Sequence, residues 1–318
     1  MFNAQIKERF IDERYRGLKS QRDAAHVFDA TEKWEQEIGA DICTFDLEKL
    51  QTVVDNISTR KSRSHISRIN VLREYFKWAN NNHIPGACDS IKGIESVGLD
   101  KVKLQMVANP LQLQTFLDKV FDPPTLGTHD SVYRCYLWCA FSGIRIEDLL
   151  SITKENIHLR SMSIILNGRK YPIYREAIDV FKVCANNDYF VYIHPMYAEK
   201  INKPRFNGTS ILRGTKETAG SIDYISTEVT RKIRNAFNDG KVSSRLSYKR
   251  LFDSGIFYRK YEQEIAGLPV DFIDEAEFYT EGREYDLISA QCTKKNVIRK
   301  IATDYSIDYD RWKAAFYY

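Results

Sequence analysis

The 318-residue sequence lacks the features of several protein classes. It has no uninterrupted apolar run near the roughly 18 residues that a membrane span requires. Its first residues mix charged and apolar side chains, unlike the apolar core of a signal peptide. Its six cysteines include no Cys-x-x-Cys pair, so neither disulfides nor a cysteine zinc site is expected. These absences predict a protein of the reducing cytoplasm.

Motifs of common catalytic sites are also missing. The six histidines show no metal-ligand spacing, and there is no Gly-x-Ser-x-Gly turn for a serine nucleophile. Gly208 and Gly214 have the wrong spacing and order for a triphosphate-binding loop. The 19 tyrosines form no characteristic RNA-binding pattern. We therefore expect neither a cofactor nor a metal ion.

What the sequence does contain is apolar material for two domains and an uneven distribution of charge. Hydrophobic residues make up 43% of the chain and aromatic residues 13%. The net charge is only +4, yet residues 231–260 hold nine basic and two acidic side chains, whereas residues 262–286 hold nine acidic side chains and one arginine. Such segregation indicates a surface that binds a polyanion. A second basic cluster comprises Arg60, Lys61, Arg63, Arg68, Arg73 and Lys77.

Apolar periodicity predicts a mainly α-helical chain with a small β-hairpin. Asp46, Ser64 and Ser226 are expected to begin helices as N-caps. The turn-forming residues 167–170 are expected to join two short strands, 162–166 and 171–174. Residues 93–110 are predicted to be a linker, and residues 186–220 to be rich in loops. The expected helices cover residues 23–38, 46–57, 64–79, 111–120, 131–141, 175–185 and 226–237.

One segment carries a family resemblance. Residues 142–152 read Ser-Gly-Ile-Arg-Ile-Glu-Asp-Leu-Leu-Ser-Ile and follow a strongly apolar predicted helix. The segment resembles the first conserved box of tyrosine recombinases, the phage integrase family. The resemblance implies that Arg145 holds two oxygens of a DNA phosphate with its planar guanidinium. A purely structural Arg145, capping a helix or paired with Glu147, is the alternative.

The resemblance extends over most of the chain. Residues 31–38, 45–57 and 64–79 resemble the helical core-binding domain that clamps DNA in phage integrases. The implied fold has two domains: a SAM-like core-binding domain with its linker at residues 1–105, and a catalytic-like domain at residues 106–318. In the predicted hairpin, the family places a lysine near the DNA at Lys170, with Arg169 as the competing choice.

The second half of the family's site is incomplete. Ser247-Tyr248-Lys249-Arg250 falls where the family has His-x-x-Arg, so Arg250 matches the second phosphate-binding arginine and Ser247 replaces a histidine that can shuttle protons. No histidine follows His194. The nearest candidates for the nucleophile, Tyr279 and Tyr285, lie among carboxylates, which oppose loss of the phenolic proton.

The resemblance therefore favours a cytoplasmic, nucleoid-associated repressor of the bacillus prophage type that binds double-stranded operator DNA without cutting it. A regulatory protein or a second copy of the chain is a possible further partner, and a membrane is not. One alternative is an active site-specific recombinase that uses Arg145, Lys170, Arg250 and either Tyr279 or Tyr285. Another is an interaction protein that holds a partner through its acidic C-terminal region. The expected DNA contacts are Arg145, Arg169, Lys170, Lys249, Arg250, Arg63 and Arg68.

Overall fold

A computed structural model describes residues 1–57, 62–94, 99–193, 200–205, 208–214, 221–281 and 294–318. The chain forms two compact units. Unit 1 comprises Met1–Val102 and Phe272–Tyr318, and unit 2 comprises Lys103–Asp271. The fold is mainly α-helical with two small antiparallel sheets, as the sequence predicts. Among the described residues, no helix is long and apolar enough to cross a membrane.

Unit 1 is built from helices alone in its described part. An aromatic cluster lies at its centre: Phe10 contacts Phe28, Tyr75 and Trp78 edge-on, with ring centroids 5.1 to 5.9 Å apart. These rings come from three different helices, so their burial fixes how the helices pack. The helices are α1 (Ala4–Arg14), α2 (Leu18–Ile38), α3 (Leu47–Ile57), α4 (Ser62–Asn81), α5 (Leu99–Lys103, which crosses the boundary between the units), α11 (Ile273–Thr280) and α12 (Lys294–Tyr317).

A fully buried ion pair joins α1 to α2 in this core. The Lys7 ammonium lies 2.5 and 2.6 Å from the two carboxylate oxygens of Glu35, and neither side chain is exposed. Glu35 also accepts hydrogen bonds from the Thr31 hydroxyl and the Ile42 backbone N–H. Burial raises the pKa of the Glu35 carboxyl, although the ammonium beside it acts in the opposite direction. The charges are held by mutual pairing and hydrogen bonds rather than by water.

The helix starts follow the predicted caps only in part. Asp46 precedes α3 and accepts a hydrogen bond from the Lys49 backbone N–H, so this cap is confirmed. The cap at Ser64 is wrong, because α4 begins at Ser62. The cap at Ser226 is also wrong: Ser221 precedes α9 (Ile222–Asn238) and accepts from the Tyr224 N–H. In both cases a second serine stands a few residues upstream, and spacing alone could not choose between the two.

The C-terminal segment departs from the expected domain division. The sequence-based second domain runs to residue 318, whereas α11 and α12 belong to unit 1 together with the N-terminal helices. Phe272 stacks on Tyr305 and contacts Tyr309, and Trp312 of α12 is fully buried. Helix α12 also packs against α4, and this contact between distant parts of the chain, which local periodicity does not contain, places the C-terminal segment in unit 1.

Unit 2 is organised around α7 (Asp130–Phe141), whose twelve residues are all buried. A helix that is buried on every side must be surrounded by other elements. Helix α10 (Tyr248–Ile265) packs against α7 at Gly255, where a Cβ atom would collide with the Phe141 carbonyl oxygen. Only glycine permits that packing. The other helices of the unit are α6 (Pro110–Val120), α8 (Ile178–Asn186), α9 and α10 (Tyr248–Ile265).

The first sheet of unit 2 has the strand order β1-β2-β3, from β1 (Ile157–His158), β2 (Ser163–Leu166) and β3 (Arg169–Pro172). The predicted hairpin is confirmed, but its turn is tighter than expected. Asn167 and Gly168 alone form it, with φ of 50° and 74°, as a two-residue hairpin turn with positive φ at both positions requires. Arg169 and Lys170 therefore lie in β3 rather than in the turn.

A second hairpin occupies a region expected to be rich in loops. Strands β4 (Tyr189–Ile193) and β5 (Lys200–Pro204) pair antiparallel from Tyr189 opposite Pro204 to Ile193 opposite Lys200. Lysine, asparagine and proline are poor strand formers, which is why the sequence of β5 does not predict a strand. We call this hairpin the β4–β5 ribbon.

Candidate nucleic-acid interface

Arg145 stands on the turn that follows α7. The helix ends at Phe141, and Gly143 adopts a φ of 88°, which reverses the chain before Arg145. A side chain at Gly143 would also collide with the guanidinium of Arg259 at 2.6 Å. Arg145 is about one quarter exposed, and its Nε donates to Asp148 Oδ2 at 2.9 Å. Arg145 therefore has an ion pair with Asp148.

Arg250 lies in the first turn of α10. Ser247 occupies the N-cap position of that helix. The residue is 6% exposed, and its Nη1 is 3.6 Å from Asp253 Oδ2. Its Nε and Nη2 are buried and have no hydrogen-bond partner within the described part of the chain. A buried N–H without an acceptor costs about 1–3 kcal/mol, so this guanidinium is a favourable place for an anion to bind.

One hydrogen bond ties the two arginine-bearing segments together. The Tyr248 hydroxyl donates to the Ile144 carbonyl oxygen at 2.7 Å, and Tyr248 packs its ring on Tyr136 of α7. Ile144 precedes Arg145, and Tyr248 is two residues before Arg250. The two predicted phosphate-binding arginines are thus presented from adjoining segments of unit 2. Burial raises the pKa of the Tyr248 phenol well above its ordinary value, so Tyr248 is a structural hydrogen-bond donor.

The remaining basic residues of the candidate site in unit 2 are exposed. Lys170 pairs in register with Ile165, which is also exposed, whereas the neighbouring Tyr171 and Ile164 face the core. Lys170 therefore points away from the core of unit 2. Arg169 and Lys249 are exposed as well, the latter in the first turn of α10.

Part of the basic stretch at 231–260 serves folding. Arg231 pairs with Glu228, and Lys232 pairs with Asp130 at 2.9 Å. Arg259 donates to the Phe141 carbonyl oxygen at 3.0 Å. These contacts reduce the positive charge that the sequence assigns to one continuous surface.

The candidate nucleophile that the structure describes, Tyr279, does not belong to the same unit as the arginines. Tyr279 lies on α11 of unit 1, on a helix that also carries Asp274, Glu275 and Glu277. Tyr285 and His194 lie outside the described residues. Ser247, at the position where the resemblance implies a histidine, makes no side-chain cap to α10.

In unit 1, the expected contact residue Arg68 has a structural partner. Its Nη1 donates to the Ile57 carbonyl oxygen at 2.6 Å and so satisfies an acceptor at the C-terminal end of α3. The side chain of Arg63 lies outside the described part of the structure.

Unit 1 carries two further basic surfaces that the sequence analysis missed. The end of α1, the connection and the start of α2 expose four cations within nine residues that include no acid, and the first two turns of α12 expose four more. Both runs are visible as charge patterns, but neither lies within the motifs that carried the family resemblance. Their members are Arg14, Arg16, Lys19 and Arg22, and Lys294, Lys295, Arg299 and Lys300.

The N-terminal helices match a known family. The model of the MrpR N-terminal core-binding domain matches residues 1–81, about a quarter of the chain. Residues 1–81 are therefore similar to a core-binding domain of the MrpR type. This confirms the resemblance to tyrosine recombinases for the domain that, in the integrases, clamps DNA. No curated protein sequence matches the chain significantly.

Two solved structures are distantly similar over nearly the whole length. The integrase from mycobacterium phage Brujita is 12% identical, with a TM-score of 0.30 over 98% of this chain and 93% of that one. The XerA recombinase is 11% identical, with a TM-score of 0.29 over 94% of this chain and 97% of that one. At such TM-scores, neither similarity assigns a role to a residue of this protein.

Proposed function

We propose that the protein is a sequence-specific, double-stranded DNA-binding repressor that maintains lysogeny of an SPβ-like prophage. In this role the protein keeps the phosphate-binding arginines of the recombinase type and has lost the ability to cleave a DNA strand. The core-binding domain at residues 1–81 supports DNA as the partner. The observation that carries the proposal is the buried guanidinium of Arg250, whose Nε and Nη2 have no acceptor within the described residues. A phosphate group supplies two acceptor oxygens and a charge of the right sign.

The acidic neighbours of the arginines suit binding better than catalysis. Asp148 and Asp253 each stand three residues after one of the arginines and partly neutralise it. Catalysis of phosphoryl transfer requires strong, preorganised positive charge at the reacting phosphate together with proton transfer to the leaving oxygen. Ser247 cannot transfer that proton near neutral pH as a histidine can. The geometry therefore favours a phosphate-binding position over a recombinase active site, which is the alternative function.

Replacing either arginine tests the proposal. Arg145→Ala and Arg250→Ala are each expected to weaken duplex binding on the order of tenfold to a hundredfold, since a charged hydrogen bond contributes roughly 1.5–3 kcal/mol. The loss should be similar for operator and unrelated duplexes, because a phosphate contact carries no base information. The two losses should be less than additive if both arginines hold one phosphate. Fluorescence anisotropy with labelled duplexes measures all three effects.

Arg231→Ala is the matched control. It removes an arginine from the same unit, but one that is exposed and already paired with Glu228. We expect it to leave affinity nearly unchanged. Arg250→Lys separates charge from geometry, because lysine keeps the charge and loses the planar fork. Undiminished binding by folded Arg145→Ala and Arg250→Ala proteins would reject the phosphate-binding assignment, and circular dichroism verifies the fold of each variant.

A further inference from the structure

The β4–β5 ribbon is firmly anchored at its base. Phe190 is buried, with the Arg205 guanidinium 4.7 Å from its ring centroid on one side and the His129 ring 5.3 Å away. The Val191 N–H donates to the Gly127 carbonyl oxygen at 2.9 Å. Burial lowers the pKa of His129 to about 4, so this anchor is uncharged near neutral pH. Strand β4 is thereby fixed to the body of unit 2.

Arg205, the residue directly after β5, fixes the other strand. Its guanidinium donates to four backbone carbonyl oxygens at 2.6 to 3.2 Å, those of Cys184 and Asn187 at the end of α8 and those of Ile211 and Arg213. A side chain held by several short hydrogen bonds of this kind is well ordered. The base of the ribbon is therefore rigid on both strands.

The outer strand, β5, in contrast has no buried residue. All five residues of β5 are exposed, although the side chains of a strand point alternately to opposite faces. The register places Asn202 and Lys200 on one face, opposite Val191 and Ile193, and Lys203 and Ile201 on the other. An isolated two-stranded hairpin is at best marginally stable in water. A rigidly mounted hairpin with both faces of one strand exposed has the form of a recognition element.

The chemistry of the ribbon matches DNA better than it matches another protein strand. Its described residues include two exposed lysines and no acid, and Lys203 lies over the Tyr192 ring at 3.9 Å. Lysine and proline on an edge strand, here Lys200, Lys203 and Pro204, disfavour pairing with a further strand. Five residues at about 3.4 Å each extend roughly 17 Å. A two-stranded ribbon fits the DNA major groove, which is about 12 Å wide.

We propose that the β4–β5 ribbon enters the major groove of the target duplex and reads its bases through Asn202 and Lys200. This inference rests on the proposed DNA-binding function and adds the element that supplies sequence specificity. Asn202 presents an amide that matches the adjacent donor and acceptor of adenine, and Lys200 presents a donor to guanine. Arg145 and Arg250 position the duplex without reading it, and the ribbon selects the sequence.

The test uses the full-length protein and a pool of random duplexes from which bound sequences are selected. Affinities are then measured for the selected duplex and for a scrambled one. The Lys200→Ala/Asn202→Ala double variant should lose on the order of a hundredfold or more in affinity for the selected duplex, since each of the two base contacts contributes roughly tenfold or more. Its affinity for the scrambled duplex should change only by the small factor expected for one lost charge. Selection repeated with the variant should yield a more degenerate sequence.

Lys203→Ala is the matched control, because it removes the same charge from the opposite face of the same strand. It should lower both affinities by the same factor and leave their ratio unchanged. If Lys200→Ala/Asn202→Ala leaves the ratio of affinities for the selected and scrambled duplexes unchanged, the inference is overturned. The same holds if that variant loses self-association while this ratio stays unchanged. Failure of the wild-type protein to bind any duplex would instead overturn the proposed function itself. All three side chains are exposed, so the variants are expected to fold, and thermal melting verifies this.

Discussion

Affinity for duplex DNA is expected to fall about a thousandfold as the salt concentration rises from about 50 mM to about 200 mM. Each phosphate that is neutralised by a lysine or arginine releases condensed counterions, and six or more such contacts produce a fall of this size. The protein offers enough cations: Arg145, Arg250 and the exposed lysines of unit 2, together with the basic surfaces of unit 1. Anisotropy titrations at a series of salt concentrations give the slope of log affinity against log salt.

The slope of log affinity against log salt also indicates how many phosphate contacts the protein makes. Losing one phosphate contact should reduce it by about 0.9, so Arg250→Ala should flatten the dependence by about that amount, and Arg231→Ala should leave it unchanged. A flat salt response in the wild-type protein is incompatible with binding through phosphate. Absence of duplex binding even at low salt would remove DNA as the partner and favour the interaction-protein alternative.

Lys7→Met is expected to lower the free energy of unfolding of unit 1 by about 3–5 kcal/mol, the usual result of breaking a buried ion pair from one side. The substitution leaves the Glu35 carboxylate buried without its cation, although Thr31 and the Ile42 N–H still donate to it. Desolvation of that unpaired charge, rather than loss of attraction, dominates the cost. Chemical denaturation followed by tryptophan fluorescence measures the change, because Trp78 belongs to this core.

Two control variants separate the effect of Lys7→Met from a general sensitivity of unit 1 to substitution. The double variant Lys7→Met/Glu35→Leu removes both charges and should recover much of the lost stability, since an apolar pair of similar volume often replaces a buried ion pair at little cost. Lys92→Met breaks an exposed pair with Asp89 in the same unit and should have little effect. A small loss for Lys7→Met, equal to that for Lys92→Met, would contradict the buried-pair account.

Local signals in the sequence identified several elements correctly. The Asn167-Gly168 turn, the apolar helix α7 and the Asp46 cap each depend on a few neighbouring residues, so they can be read from the chain. The β4–β5 ribbon was missed although Tyr189–Ile193 are strand-forming residues, because the residues of β5 are not, and because the contacts of Arg205 and His129 with Phe190 come from tertiary packing. The placement of α12 in unit 1 depends on its packing against α4, a contact between distant segments that periodicity does not report.

The residues of the candidate site likewise divide into those that short motifs predict and those whose contacts depend on the folded structure. Arg145 and Arg250 were predicted from short motifs, and the structure presents them from adjoining segments through the bond between Tyr248 and Ile144. Their aspartate neighbours, and the bond from Arg68 to the end of α3, are consequences of side-chain geometry. Residue type and spacing alone could not distinguish an arginine that is available to DNA from one that holds the fold.

The most direct test of DNA binding without cleavage is a nicked suicide substrate that carries the selected binding sequence. A recombinase would become trapped on it through a tyrosine–phosphate bond, because the nicked strand is lost and the reaction cannot reverse. We expect retention of the duplex and no covalent adduct for the wild-type protein, and near-wild-type DNA binding for Tyr279→Phe and Tyr285→Phe. A protein–DNA adduct that disappears in one of these two variants would contradict this account and establish the protein as an active recombinase.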